Sequence, residues 1–395
     1  MVRDHSFVHI VSERTVKGVI AIFPFTTLKV LKGKLFGGQE NRWQEVMGER
    51  DFSQLRESLK EELKREPDIP VLHPEEEEIK EHVENEVRKL NANNLTRTMG
   101  YLDYFKRNPE VHWAFLAHMV SRNGGYHMTD LKGSMMDHLL KESERDKYFA
   151  FLERANGGIF ADAYPQLHLY ELSKNRAISF RRLFPHFRIS RFMIPVWEAF
   201  SKSGNREMLT VGMILNEQRM LQERVVKRSW NAELLSRIDF QLQEFFGFTA
   251  VIFPYVKRKG SKYRLAGLTV NRFERPEGRI MTGKLLYSML FLSPKVLKGT
   301  QDFAFKNVHT ASRSDYWEEL FTRKRRDDEK IYSPVLSDAW EDRPFMPPPG
   351  SDWFITNEFI EDIRLLPVPL KTDLTDKASA NVKHIKTINE VKSII

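Results

Sequence analysis

A nearly continuous series of helix patterns between Glu142 and Phe246 is the feature that most constrains the fold. Apolar residues recur there every three to four positions, and the connections are short, so each helix has one apolar face and consecutive helices lie side by side. The run Asn156 to Gly158 is expected to end the first of these helices, and Pro165 to bend or restart the next. The sequence therefore predicts a mainly α fold with a bundle-like core of many helices.

The helical pattern is interrupted after Gly247. Thr249 to Val256 and Tyr263 to Val270 are rich in β-branched and aromatic residues, which is typical of strands. The segment between them, KRKGSK, is basic and short enough to connect two antiparallel strands. We therefore expect one small β-hairpin, near 249–270, inserted into the helical domain.

Composition divides the chain into three expected regions. Residues 1–73 predict an N-terminal helical extension, in which Val16 to Gly38 alternates lysines with apolar residues. This basic amphipathic segment is too short in its uncharged run to span a bilayer; it packs on its own domain or lies on an anionic membrane surface. Residues 74–330 form the expected main helical domain, and 331–395 a proline-containing linker and C-terminal tail.

Composition also excludes several kinds of chemistry. The 395 residues include no cysteine, which rules out disulfides, thiolate nucleophiles and cysteine-ligated metals. No metal-ligand pair and no phosphate-loop pattern is present, so we expect neither a metal nor a cofactor. The absence of cysteine and of a secretory signal predicts a cytoplasmic location, with peripheral membrane contact as the alternative.

Two polar segments, Asn91 to Thr98 and Ser121 to Asp130, flank a pair of apolar helices. Asn94 is expected to cap the first helix, and the second is expected to begin at Pro109 and to end at the glycines that follow Asn123. In an antiparallel pair both polar segments lie at the same end. The sequence therefore predicts a polar cluster at that end.

This cluster supplies the candidate site residues. His127 is a candidate general base whose ring Asp130 would orient. The candidate ligand-binding residues, which suit a carboxylate or phosphate, are Asn94, Arg97, Arg122 and Asn123. The alternative is structural, because asparagine and aspartate commonly cap helices and Arg122 can tie the hairpin to a carboxylate such as Asp103 or Glu110.

A second candidate is the basic stretch from Lys174 to Phe192, which has six basic residues, no acidic residue and four interleaved phenylalanines. Basic and aromatic side chains together suit nucleic acids, nucleotides and anionic lipid surfaces. The candidate anion-binding residues are Arg181, Arg182, Arg188 and Arg191. The alternative is that the phenylalanines belong to the core, the arginines face water and neighbouring acidic helices neutralise them. The formal charge of +8 favours an anionic partner without identifying it.

Three strings carry a resemblance to a known family: NNLTRTMGYLDYFKRNPEVHWAFLAHMVSRNGGYHMTDLKG, IFADAYPQLHLYE and LTVGMILNEQRMLQERVV. They resemble the YppC-like family of uncharacterised bacterial proteins, over roughly Pro74 to Pro294. The resemblance implies a bacterial, cytoplasmic protein. It implies no reaction, cofactor or catalytic residue.

Three functional interpretations follow from these patterns. The preferred one is a cytoplasmic helical protein that binds an anionic ligand or surface through the polar cluster and the basic faces. The second is a hydrolase or transferase for a phosphate- or carboxylate-bearing substrate, with His127 and Asp130 as the acid–base pair. The third is a protein-interaction module without a small-molecule site. The enzyme interpretation requires a pocket that contains the cluster, whereas surface binding needs only a contiguous basic face.

Overall fold

The computed structural model describes residues 42–136, 140–227, 250–257, 263–269, 275–325, 330–348, 350–369, 372–380 and 382. Within these residues the fold is mainly helical with a few short strand pairs, which confirms the predicted fold class. Four expected features lie outside the described residues: the amphipathic segment Val16 to Gly38, the last part of the helical series from 228 to 246, the hairpin tip from 258 to 262 and the tail after 382.

Eleven α-helices and six strands are numbered here in chain order within the described residues. The helices are α1 (Glu49–Lys64), α2 (Pro74–Leu90), α3 (Asn94–Arg107), α4 (His112–Asp130), α5 (Glu142–Ser173), α6 (Phe180–Leu183), α7 (Met193–Ser203), α8 (Arg206–Leu221), α9 (Pro276–Phe291), α10 (Pro294–Lys306) and α11 (Leu336–Ala339). The strands are β1 (Arg42–Glu45), β2 (Ala250–Lys257), β3 (Tyr263–Thr269), β4 (Phe321–Thr322), β5 (Ile331–Tyr332) and β6 (Leu365–Val368).

Helices α3 and α4 form the predicted antiparallel pair at the centre of the fold. The N-cap of α3 is Asn93 rather than Asn94: the Asn93 side chain accepts a hydrogen bond from the Thr96 backbone N–H at 3.0 Å. Asn94 is instead the first helical residue, and its side-chain amide donates to the Ser121 carbonyl of α4 at 2.9 Å. This bond places both polar segments at the same end of the pair.

The predicted hairpin is present as the antiparallel pair β2–β3, with a register irregularity between Pro254 and Val256. It packs on α10 so closely that a Cβ built on Gly299 would lie 1.6 Å from the Tyr255 carbonyl oxygen. Only glycine fits at that contact. The helix and the hairpin therefore dock backbone to backbone.

Two contacts connect C-terminal segments of the described chain to earlier elements. Strands β1 and β6 are antiparallel and pair Arg42 with Val368. The Trp340 ring stacks on Phe149 of α5, with ring centroids 4.2 Å apart. The proposed division at residues 73 and 330 stays a prediction.

Helix α4 continues through the glycines that were expected to end it. It runs to Asp130, five residues past Gly125. A Cβ built on Gly125 would lie 2.3 Å from Asn94 Oδ1 and 2.7 Å from His309 Nε2. The expected helix end was therefore wrong because this glycine permits a close side-chain approach and does not adopt a left-handed turn.

The same correction applies to α5. This helix is continuous across Asn156 to Gly158 and across Pro165. A Cβ on Gly157 would lie 3.2 Å from the Phe345 carbonyl oxygen, in the segment that covers this face of the helix. Here too, close packing explains a glycine that local sequence rules assign to a helix end.

Gly125→Ala is expected to lower the free energy of unfolding by about 1–3 kcal/mol, because the new methyl group collides with Asn94 and His309, which are held by their own hydrogen bonds. Gly124→Ala is the matched control: its nearest neighbour would be Asn156 at 3.6 Å, an ordinary contact, so the higher helix propensity of alanine should leave stability equal or raise it by up to about 1 kcal/mol. Urea unfolding followed by circular dichroism measures both. Equal behaviour of the two variants would contradict the close-approach explanation.

Candidate functional site

The six residues of the predicted polar cluster are buried at the shared end of α3 and α4. Their exposed fractions are 0% for Asn94, 0% for Arg97, 1% for Arg122, 3% for Asn123, 7% for His127 and 1% for Asp130. Buried polar groups are costly unless they are paired, so their partners decide what they can do.

Arg97 is held between α2 and α5. One guanidinium nitrogen forms an ion pair with the buried Glu153 carboxylate, and another donates to Asn91 Oδ1 at 3.1 Å. Asn91 in turn donates to the Gly157 carbonyl at 3.1 Å. Burial raises the pKa of Glu153 above its ordinary value, and the Arg97 charge opposes that shift. These contacts connect the start of α3 to the middle of α5.

Arg122 connects α4 to the segment after α10. Its Nε donates to the Tyr126 hydroxyl at 2.9 Å, and a terminal nitrogen donates to the Val308 carbonyl at 3.2 Å. The guanidinium lies over the Phe303 ring, 4.3 Å from its centroid. Within the described residues its ion-pair partner is the Asp315 carboxylate, 4.0 Å away, and not Asp103 or Glu110.

Asn123 and His127 dock α4 on the first strand of the hairpin. Asn123 Oδ1 accepts from the Ile252 backbone N–H at 3.1 Å, and His127 Nε2 lies 3.2 Å from the Ala250 carbonyl oxygen. Because a carbonyl can only accept, Nε2 carries the proton in this arrangement. Both side chains satisfy backbone groups at the start of β2.

The proposed acid–base pair is poorly matched to proton transfer. His127 Nδ1 lies 3.9 Å from Asp130 Oδ2, beyond hydrogen-bond distance. Asp130 makes a bidentate ion pair with Arg313, with contacts of 2.9, 2.8 and 2.6 Å. Burial and the Arg313 charge lower the pKa of His127 to about 3, which leaves a weak base at neutral pH.

Sequence reasoning missed the partners of the cluster. Glu153, Arg313, Asp315 and His309 contact it, yet no local motif marks them. His309 Nε2 lies 3.0 Å from Asn94 Oδ1, and burial lowers the pKa of His309 to about 4. Arg313 is 183 residues from Asp130. Nothing short of the tertiary fold brings these groups together.

A separate feature is a groove of about 720 Å³ between the end of α1, helix α6, the turn after it and the start of α7. We call it the arginine groove. Six arginines line it: Arg65, Arg181, Arg182, Arg188, Arg191 and Arg224. The structure therefore brings the four predicted anion-binding arginines to one concave surface. Acidic residues also line it, namely Glu62, Glu66, Asp68 and Asp352.

Two of the arginines are strongly neutralised by acidic residues from α1 and α2. Arg181 forms an ion pair with the buried Glu62. Arg182 binds both carboxylate oxygens of Glu76, at 2.7 and 2.8 Å, and its guanidinium lowers the pKa of Glu76 to about 2. The alternative interpretation, neutralisation by nearby acidic helices, describes these two residues well.

Nearby carboxylates neutralise the other two predicted arginines less. Arg191 donates mainly to the backbone carbonyls of Phe354 and Arg65, with the Asp352 carboxylate 3.8 Å away. Arg188 is exposed, adopts a left-handed backbone conformation with φ 57°, and has no ion-pair partner within the described residues. Its carbonyl accepts from Arg224 at 2.6 Å, which fixes the turn.

Comparison with known proteins identifies a family whose function is unknown. Residues 89–383 match the family described as "Protein of unknown function (DUF2515)". The chain belongs to this family. It is 35% identical over 296 residues to the uncharacterized protein YppC of Bacillus subtilis (strain 168), covering 74% of this chain and 89% of that protein. No solved structure matches the chain.

The DUF2515 match confirms the predicted YppC-like relationship and extends it beyond Pro294 toward the C-terminus. It includes the six cluster residues and the four predicted arginines of the groove. It does not include Glu62, Arg65 or Glu76, which precede it. No helix in the described part of the chain is long and apolar enough to cross a membrane.

Asp130→Asn tests whether the cluster is structural. The variant leaves Arg313 charged, buried and without its carboxylate, so it should lose about 3–5 kcal/mol of unfolding free energy in urea titrations. Asp103→Asn removes a carboxylate whose partner, Lys106, is on the surface, and should change stability by less than about 0.5 kcal/mol. If Asp130→Asn is as stable as the control, Asp130 is available for chemistry.

The depressed pKa of His127 predicts acid sensitivity. A histidine that is neutral when folded contributes stability above its ordinary pKa of about 6.5, and this contribution is lost as the pH falls toward 3. Between pH 6 and pH 4 the protein should therefore lose about 2 kcal/mol more than a His127→Gln variant, whose amide can still donate to Ala250. Unfolding titrations at each pH measure the difference. Parallel pH profiles would show that His127 is not a buried neutral group.

Proposed function

We propose that this protein binds a compact phosphate-bearing ligand, of nucleotide size, in the arginine groove. The observation that carries the proposal is the convergence of six arginines on one concave surface of about 720 Å³. That volume is within the range of small-molecule and cofactor sites, about 300–1,000 Å³. Guanidinium groups bind phosphate oxygens with charge-assisted hydrogen bonds.

The acidic residues of the groove favour a compact ligand over an extended polymer. Glu62, Glu66, Asp68 and Asp352 would repel a phosphate backbone that ran along the groove. A single phosphate group near Arg188 and Arg191 is repelled less than such a polymer, because Arg188 has no ion-pair partner within the described residues and Asp352 is 3.8 Å from Arg191. The groove therefore favours a nucleotide-like molecule over duplex DNA.

Arg188 is the expected anchor of the ligand. It is exposed and lacks a carboxylate partner in the described residues, so binding a phosphate there breaks no ion pair within that part of the chain. Arg181 and Arg182, by contrast, already bind the carboxylates of Glu62 and Glu76, which would compete with a phosphate for their guanidinium groups. We place the protein in the cytoplasm, consistent with a chain that lacks cysteine.

Titration calorimetry with ATP, at low and high salt, tests the proposal. Arg188→Glu should weaken binding about tenfold, equivalent to about 1.4 kcal/mol, because it replaces the anchoring cation with a repelling anion. Arg176→Glu is the matched control: Arg176 is exposed in the same basic stretch but does not line the groove, so it should change binding by less than about twofold.

A short DNA duplex and anionic vesicles serve as competing probes in the same experiment. Tighter and more steeply salt-dependent binding to the duplex would replace the small-ligand proposal with a nucleic-acid function, and vesicle binding lost in Arg188→Glu would indicate peripheral membrane contact. Absence of ATP binding at millimolar concentration, or equal losses in the two variants, would reject the groove as a nucleotide site.

A further inference from the structure

A second cavity, of about 150 Å³, lies between α3, α4, α5, α8 and α9, and is distinct from the arginine groove. Its walls include the apolar side chains of Leu116, Ile159 and Leu286. Its polar lining comprises Tyr101, Ser121, Asn156, Glu217, Gln218, Arg279 and Thr282. An engineered cavity of about 150 Å³ is large enough to bind benzene, so a molecule of five or six heavy atoms is a reasonable upper size.

Tyr101 carries an unexplained polar group at this cavity. The residue is 3% exposed, and its hydroxyl has no hydrogen-bond partner within the described residues. Its ring packs edge-on against Trp113, with centroids 5.6 Å apart, so the ring is held in place. A buried hydroxyl without a partner costs free energy and calls for an explanation, such as a bound molecule.

Glu217 supplies a carboxylate to the same cavity. Its two oxygens accept from Trp113 Nε1 at 3.1 Å and from Gln218 Nε2 at 2.9 Å, which orients the group and leaves further lone pairs for a donor. No lysine or arginine is within ion-pair distance of it in the described part of the chain. Burial, together with the Asp162 carboxylate, raises the pKa of Glu217 to about 7. A bound cation would compensate for this unpaired charge.

We propose that this cavity binds a small aliphatic primary amine, whose ammonium group contacts Glu217 and the Tyr101 hydroxyl while its alkyl chain lies on the apolar wall. The ammonium has three donors and no acceptor, which complements a carboxylate and a hydroxyl oxygen. Arg279 lines the cavity too, but the side-chain oxygens of Gln218 and Gln222 hold its guanidinium, at 2.9 and 2.7 Å.

The experiment uses n-butylammonium as the probe and n-butanol as its uncharged analogue, with the full-length chain at pH 8 and calorimetric or saturation-transfer NMR detection. The wild-type protein should bind n-butylammonium at least tenfold more tightly than n-butanol. Glu217→Gln should reduce amine affinity about tenfold, and Tyr101→Phe several-fold. Glu207→Gln, on α8 but outside the cavity, should leave it unchanged.

Thermal unfolding of each variant shows whether it is folded, so that a loss of binding can be distinguished from a loss of structure. Tyr101→Phe removes a hydroxyl without a partner, so its melting temperature should be equal to or above that of the wild type. Equal affinity for the amine and the alcohol, or unchanged amine binding in a folded Glu217→Gln variant, would overturn the proposal. So would absence of amine binding to the wild type at high millimolar concentration.

Discussion

The burial of charged side chains on α3 and α4 is the constraint on which the rest of the structure depends. Arg97 pairs with Glu153, Asp130 with Arg313, and Arg122 approaches Asp315. Desolvating such groups costs several kcal/mol per ion, and the cost is offset only when each partner sits in good geometry. The position of α5 is thereby fixed relative to α3, and that of the segment after α10 relative to α4. A chain that packed these elements differently would leave a charge buried and alone.

Local signals predicted the elements, and only the tertiary fold supplied the site partners. The helical class and the β2–β3 hairpin follow from apolar spacing and β-branched composition, which act over a few residues. The clustering of Asn94 with Arg122 and Asp130 also followed, because a short antiparallel connection places both helix ends together. Glu153 and Arg313 could not be found this way, since they lie 56 and 183 residues from their partners.

The glycines show why a correct local rule gave wrong helix ends. Asn-Gly-Gly is a good C-terminal signal because glycine adopts positive φ without steric cost. At Gly125 and Gly157, however, the missing side chain makes room for His309 and for the Phe345 backbone. A helix end and a close tertiary contact can both require glycine, so the sequence looks the same in either case. Only the residues that pack against the helix distinguish the two cases, and His309 and Phe345 lie far away in the chain.

The charge asymmetry of the sequence has a structural consequence in the arginine groove. The acidic region before Leu90 and the basic stretch after Lys174 face each other, and the pairs Arg181–Glu62 and Arg182–Glu76 cancel part of the charge. These carboxylates precede the DUF2515 match, whereas the arginines lie inside it. The arginines of the basic stretch thus lie in the region that the family shares. The carboxylates of α1 and α2 determine how much of their positive charge is neutralised. A chain with the same arginines but without those helices would present a more positive and more open surface, suited to larger anions. In this chain, Arg188 and Arg191 are therefore the groove arginines from the basic stretch that carboxylates neutralise least within the described residues.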